Sequence, residues 1–403
     1  MTKMIIPPSQ IIPKEILGEI LEFAQLCNAD GTNVWVVGGA IRDAILCRPI
    51  KDIDLVVDSD ALNLTSKLKV PFKSFPQFST IKAEINEFTV DLATMRSEHY
   101  MSPGALPKTW PSDILADLSR RDFAMNSIAV SLNHGSEGEV LDPNNGLEDI
   151  QKSTIRVLHA GSFRDDATRI LRAIRYSVGL GFKLSSKTKK AFTQDSVFLN
   201  TISPARIRRE LILITNEPLG ASILLKAHRL GLLSKIINFL DYGELDSALL
   251  NARRLKLSGQ PLFYLLLCQI NLNTPSTRLA LTKNEKLTAQ KLQTALQNFT
   301  LTKVNRFPSK VRNELKDFTD KEIRILFEIS NQKTRNNISL YLSNTHRMPL
   351  LTFEDLKIMG FPENHRLKIV MGLLSDQVID GHIRNKRSEV IFVKKLKLEG
   401  LDR

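Results

Sequence analysis

A chain of 403 residues is too long for one ordinary hydrophobic core, so two to four domains are expected. Its 42% hydrophobic and 25% charged content excludes a disordered or fibrous chain, and no apolar run reaches the length of a transmembrane helix. The net charge of +13 points to a polyanionic partner, most often nucleic acid, although general basicity gives the same number. The start, Met1 to Pro8, has no apolar core long enough for a signal peptide. Cys27, Cys47 and Cys268 lack metal-ligand spacing and fall in apolar contexts, which reads as reduced core thiols in a cytoplasmic protein.

In chain order, residues 13–29 form an amphipathic helix with Ile16, Leu17, Ile20, Phe23, Ala24 and Cys27 on its apolar side, ended by Asp30-Gly31. Val34-Trp35-Val36-Val37 reads as a buried strand, Gly38-Gly39 as a turn opening a short helix, and Leu55-Val56-Val57 as a strand carrying Asp52 and Asp54. Residues 82–94 predict a hairpin turning at Asn86-Glu87, with Asp91 facing away from Phe88, Val90 and Leu92. From Arg96 to Trp110, Pro103-Gly104 and Pro107 predict an irregular, mobile loop. Residues 112–131 read as helix, and Leu141 to Gly146 as a turn closing a strand. Beyond about residue 150 the pattern is helical, over 165–178, 187–194, 204–215, 220–231 and 244–256, with one strand-like run at Val390-Ile391-Phe392-Val393. The expected fold class is an α+β head with a mixed sheet, followed by an all-α remainder.

Four groups of residues carry chemistry. Asp52 and Asp54 share one face of a strand, and two such carboxylates are costly without a cation, for which Mg²⁺ is the hard-oxygen match. Asp91 is either a third metal carboxylate or a solvated strand residue. Gly38 and Gly39 open a helix N-terminus, a phosphate site, and Arg42 one turn on can reach a triphosphate or make an ordinary helix salt bridge. Arg120-Arg121-Asp122 with Asn126 offers donors for phosphate and sugar hydroxyls, or else a solvated helix face. Asp166 and Arg169 lie at i,i+3 on a predicted helix, as an ion pair or as a base reader. A carboxylate acceptor beside a guanidinium donor matches the edges of cytosine and adenine and mismatches uracil and guanine. Arg172 and Arg175 continue round that helix toward the triphosphate. Ser203-Pro204 starts a further helix whose Arg206, Arg208 and Arg209 face RNA phosphates in this reading. The seven histidines are scattered, and no Ser/His/Asp, zinc or HD-type phosphohydrolase pattern is present.

As an ordered set these motifs resemble the class II tRNA nucleotidyltransferases, the CCA-adding enzymes and their poly(A) polymerase relatives. The matching stretches are Val36 to Asp43 with Asp52-Ile53-Asp54; Arg120 to Asn126; Asp142-Pro143 through Gly146 to Asp149; and Asp165 to Arg172. The match is dense over residues 30–215 and thins beyond. The resemblance implies a head of the polymerase β-like nucleotidyltransferase kind over 1–150, a neck over 151–215, a body over 216–345 and a tail over 346–403. It implies Asp52 and Asp54 as Mg²⁺ ligands, with Asp166 and Arg169 as the protein template for CTP and ATP. The expected reaction adds CCA to the tRNA 3′ end, with the body and tail gripping the acceptor arm. The rivals are CC-only or A-only addition and poly(A) synthesis; a loop at 96–110 that keeps Arg96 and Glu98 favours full CCA addition. The chain departs from the family pattern at Asp165 and Ala205, both usually Glu, and at the tail turn Phe361 to His365.

Overall fold

The computed structural model describes residues 4–272, 279–297 and 307–398. The chain divides into two compact units. The first runs to Ile214 and takes in Ser222–Ile237; the second takes Thr215–Ala221 and everything from Asn238 on.

The first unit is built on a seven-stranded mixed sheet in the order β3-β4-β5-β2-β1-β8-β9. Its strands are β1 (Val34–Val37), β2 (Asp52–Val57), β3 (Phe72–Phe75), β4 (Thr80–Ile85), β5 (Phe88–Thr94), β8 (Ala129–Ser131) and β9 (Val140–Leu141). Only β2 and β5 pair in parallel, which sets Asp52 opposite Thr89 and Asp54 opposite Asp91. β1 lies between β2 and β8, so Val34, Val36 and Val37 are wholly buried and the strand reads as one apolar run. Helix α1 (Lys14–Ala29) buries Ile16, Ile20, Phe23, Ala24 and Cys27, as expected from its period.

Five expectations change. The segment after residue 95 is not irregular: β6 (Arg96–His99) and β7 (Lys108–Pro111) form an antiparallel ribbon, and the prolines and glycine are confined to its connection. Residues 112–131 are not one helix. Helix α3 (Ile114–Ser119) stops early, and Ile128 to Leu132 is an unbroken buried run that enters the sheet as β8. A short apolar run buried on both faces has no period to separate strand from helix. Beyond residue 150 a two-residue parallel pair, β10 (Thr154–Ile155) with β11 (Lys183–Leu184), interrupts the helices. Conversely, Val390 to Val393 is helical, inside Lys386–Leu398; Val393 and Leu396 enter a core with Leu356, Val370 and Leu374, and Val390 packs against it. Cys27 and Cys268 are buried as expected, but Cys47 is exposed at φ +50° just past α2 (Gly39–Ile45).

The first unit continues through α4 (Gly146–Gln151), α5 (Ser162–Asp165), α6 (Thr168–Gly179), α7 (Ser186–Asp195) and α8 (Pro204–Asn216), whose last two residues fall in the second unit. The elements of the second unit are helical, from Tyr242–Arg254 to Lys386–Leu398. Capping boxes start two of them: Thr319 with Glu322, and Thr352 with Asp355. Among the described residues, no helix is long and apolar enough to cross a membrane.

Candidate active site

The polar face of the sheet opens into a cleft of about 450 Å³, of the size that holds a nucleotide. Gly38, Gly39 and Asp54 line it from the sheet, Arg121, Asp122 and Asn126 from the segment after α3, and Asp166, Arg169 and Arg172 from the start of α6. Motifs spread over 130 residues therefore meet at one place.

Gly38 holds φ +81°, and a Cβ there would stand 2.9 Å from Arg121 Nη1 and 3.0 Å from Asp54 Oδ2. This glycine serves close approach as well as turn geometry. Its N–H donates to the Ile128 carbonyl at 3.3 Å, so it is already engaged within the sheet. Asp54 is pushed above its ordinary value, chiefly by burial, against the pull of Arg121 and with added repulsion from Asp91 and Asp52. Asp91 is likewise raised by burial, with Lys82 opposing and Asp52 adding. Asp52 is exposed at the mouth of the same face. Asp54 and Asp91, both raised, stand with Asp52 as carboxylates of one strand pair, the oxygen-only donor chemistry that a divalent cation takes. Among the described residues no three His, Cys, Asp or Glu side chains converge closely enough to hold a metal ion by themselves. Mg²⁺ does not need such a set, since it takes one or two carboxylates and completes its shell with water and phosphate.

The arginines are held by a continuous polar network. Asp122 is 8% exposed; its Oδ1 accepts from Phe123 N (2.8 Å) and Asn126 Nδ2 (2.9 Å), and its Oδ2 from Arg172 Nε (2.8 Å) and Nη2 (2.6 Å). Burial opposes its charge, but Arg172 and these bonds pull it down to about 2. Arg42 is not free on a helix surface. It forks onto Asp43 (3.0 and 2.8 Å), donates to Asn126 Oδ1 (2.6 Å) and lies beneath the cleft lining. The Tyr176 ring faces Arg42, Arg172 and Arg175 at 4.9, 5.6 and 5.3 Å from its centroid, and its hydroxyl accepts from Arg172 Nη2 at 3.2 Å. Three like charges thus stand side by side around one aromatic face.

Arg120 and Arg121 do not form a solvated helix face. Both donate to the fully buried Asp117, Arg120 at 2.6 Å to Oδ1 and Arg121 at 2.9 Å to Oδ2. Arg120 also reaches Glu98 on the ribbon at 2.8 Å, and Tyr100 donates to the same carboxylate at 2.8 Å. Glu98, Tyr100 and Pro107 carry the ribbon into the cleft wall.

Asp166 is not on a helix surface either. It caps α5 in an extended conformation, φ −138° and ψ 98°, and its Oδ1 accepts from Thr168 N (2.9 Å) and Thr168 Oγ1 (2.7 Å) at the start of α6. Arg169 is 5% exposed and donates to Ser162 Oγ and to the Arg120 carbonyl, both at 2.7 Å. Both still line the cleft. Sequence reasoning missed Asp117 and Tyr176; the Arg120-Arg121 pair three and four residues after Asp117 was the available signal for the first.

The chain is similar to known proteins along most of its length. The family model described as the poly A polymerase head domain matches residues 34–156, and that described as the probable RNA and SrmB-binding site of polymerase A matches 181–243. An A-adding tRNA nucleotidyltransferase of Halalkalibacterium halodurans is 29% identical over 90% of this chain and 88% of its own length. A CC-adding tRNA nucleotidyltransferase of Deinococcus radiodurans is 35% identical over 46% of this chain and 51% of its own. The chain spans only about a quarter of two longer A-adding relatives, 26% and 24%. The Thermotoga maritima CCA-adding enzyme complexed with tRNA shares the fold, with a TM-score of 0.76 at 21% identity over 98% of this chain and 99% of that one. Residues 34–156 thus carry a poly A polymerase head domain, and over most of its length the chain is similar to tRNA nucleotidyltransferases.

Proposed function

We propose that this protein adds nucleotides one at a time to the 3′ end of tRNA, using CTP and ATP to build CCA and releasing pyrophosphate. The observation that carries the reading is the single cleft in which Asp54 stands against Gly38 and Arg121, with Asp166 and Arg169 on the facing wall. Similarity to tRNA nucleotidyltransferases implies a divalent metal, and Asp52 and Asp54, with Asp91 beside them, would hold Mg²⁺. When bound, Mg²⁺ makes the primer hydroxyl more acidic and stabilises the negative charge of the leaving group. Arg121 and Arg172 draw the triphosphate into line, while Arg42 and Arg175 hold that face positive from behind it. Asp166 and Arg169 offer the acceptor and donor that cytosine and adenine share.

In this reading residues 1–150 are the catalytic head and 151–215 the neck that reads the base. Residues 216–345 and 346–403, the body and tail, hold the acceptor arm of the tRNA by its phosphates and shape in the cytoplasm. A second reading is A addition alone, favoured by the near full-length match to an A-adding relative. Three tRNAs, ending at the discriminator base, at C and at CC, each offered single nucleotides, separate the two. CCA synthesis requires C, C and then one A, followed by arrest. A protein that extends only the CC-ended tRNA is A-adding, and unlimited A addition refutes both readings.

A further inference from the structure

We propose that Arg206 is a specificity-determining positioning residue: it pins one oxygen of Asp166 so that the other faces the nucleotide base. The inference rests on the reading of Asp166 as a base reader. All three donors to this carboxylate fall on Oδ1: Thr168 N at 2.9 Å, Thr168 Oγ1 at 2.7 Å and Arg206 Nη2 at 2.6 Å. Among the described residues, no hydrogen bond or ion pair falls on Oδ2. A guanidinium meeting a carboxylate without other constraints tends to fork across both oxygens. Here Arg206 reaches only one, and its Nη1 is buried without a partner. A forked pair would have consumed the acceptor that a base amine needs. The single-oxygen bond, together with the Thr168 cap, instead fixes the carboxylate plane while Oδ2 stays available.

Arg206 is well placed for this task. It stands on the first turn of α8, lines the same cleft as Asp166, and comes from an element separate from the one it braces. Without it Asp166 keeps only the two bonds from Thr168, two residues away. The carboxylate then gains rotational freedom and can offer either oxygen, or a bound water, to a base of the wrong pattern.

The test measures kcat/KM for CTP and for UTP on tRNA ending at the discriminator base, and for ATP and GTP on tRNA ending in CC. The proteins are the full chain, Arg206→Met, Arg206→Lys and Asp166→Asn, each checked for folding by tryptophan fluorescence. Arg206→Met should lower the correct-to-incorrect ratio about tenfold, the scale of one lost hydrogen bond to a charged group. Arg206→Lys, which can still make one bond to Oδ1, should recover most of it. Loss of turnover with the ratio unchanged would assign Arg206 a merely structural role and overturn the proposal. If Asp166→Asn changes the ratio and Arg206→Met does not, this inference alone fails. If neither changes it, the base-reader reading fails and takes the inference with it.

Discussion

Replacing Asp122 with Asn should destabilise the first unit by an amount that depends on pH in a calculable way. The carboxyl falls from 3.8 to about 2 in the folded protein because Arg172, Asn126 and Arg169 outweigh the cost of burial. A shift of that size corresponds to about 2 kcal/mol at pH 7. The folded pKa is depressed, so the contribution is complete above the unfolded value near 4 and is lost as pH falls through the folded one. About half is gone at pH 3 and nearly all below pH 2. Trp35 and Trp110, the chain's two tryptophans, both lie in the first unit, so their fluorescence reports its unfolding in urea. Asp122→Asn should lower stability by about 2 kcal/mol at pH 7, about 5 °C in Tm for a unit of this size. The deficit should shrink by half at pH 3. A variant as stable as the parent at pH 7, or a deficit of the same size at pH 3, would show that this buried pair does not act as described.

Gly38→Ala should cost about 1–3 kcal/mol of stability from backbone strain at φ +81°. It should also reduce transfer more than tenfold while tRNA binding persists, because the new Cβ displaces Asp54 and Arg121; near-normal turnover would refute the close-approach role. Tyr176→Leu should raise the KM for nucleotide about tenfold, from losing cation–π contacts worth about 0.5–1 kcal/mol each, while Tyr176→Phe stays near the parent. Equal impairment of the two would mean that the hydroxyl, not the ring, holds the arginines.

The head was readable where local chemistry and tertiary role coincide. Apolar runs flanking Gly38-Gly39 and the Asp52/Asp54 alternation specify β1, α2 and β2 almost unaided. Where the two diverge, the sequence misled. Ile170, Leu171 and Ile174 give a helical period that extends smoothly back over Asp166, yet the chain breaks there because Asp166 captures the Thr168 amide. An Asp two residues before Thr at a helix start is a turn signature that outweighed the period. Ile128 to Leu132 and Val390 to Val393 are each four or five apolar residues, and only their neighbours decide that one is strand and the other helix. Asp117 and Tyr176 were invisible as site residues because their roles depend on partners 3 to 134 residues away, from Arg120 to Arg42. Arg42 was open between a triphosphate contact and a helix salt bridge, and the Arg120 run between phosphate donors and a solvated helix face; the fold pairs Arg42 with Asp43 and Arg120 with Asp117.

The most direct test offers ATP and a tRNA ending in CC to the parent and to Asp54→Ala, with tRNA binding measured alongside. The parent should attach a single A, and the variant should bind the tRNA equally well and attach none. Transfer that survives in Asp54→Ala would contradict the assignment of this cleft as the catalytic centre.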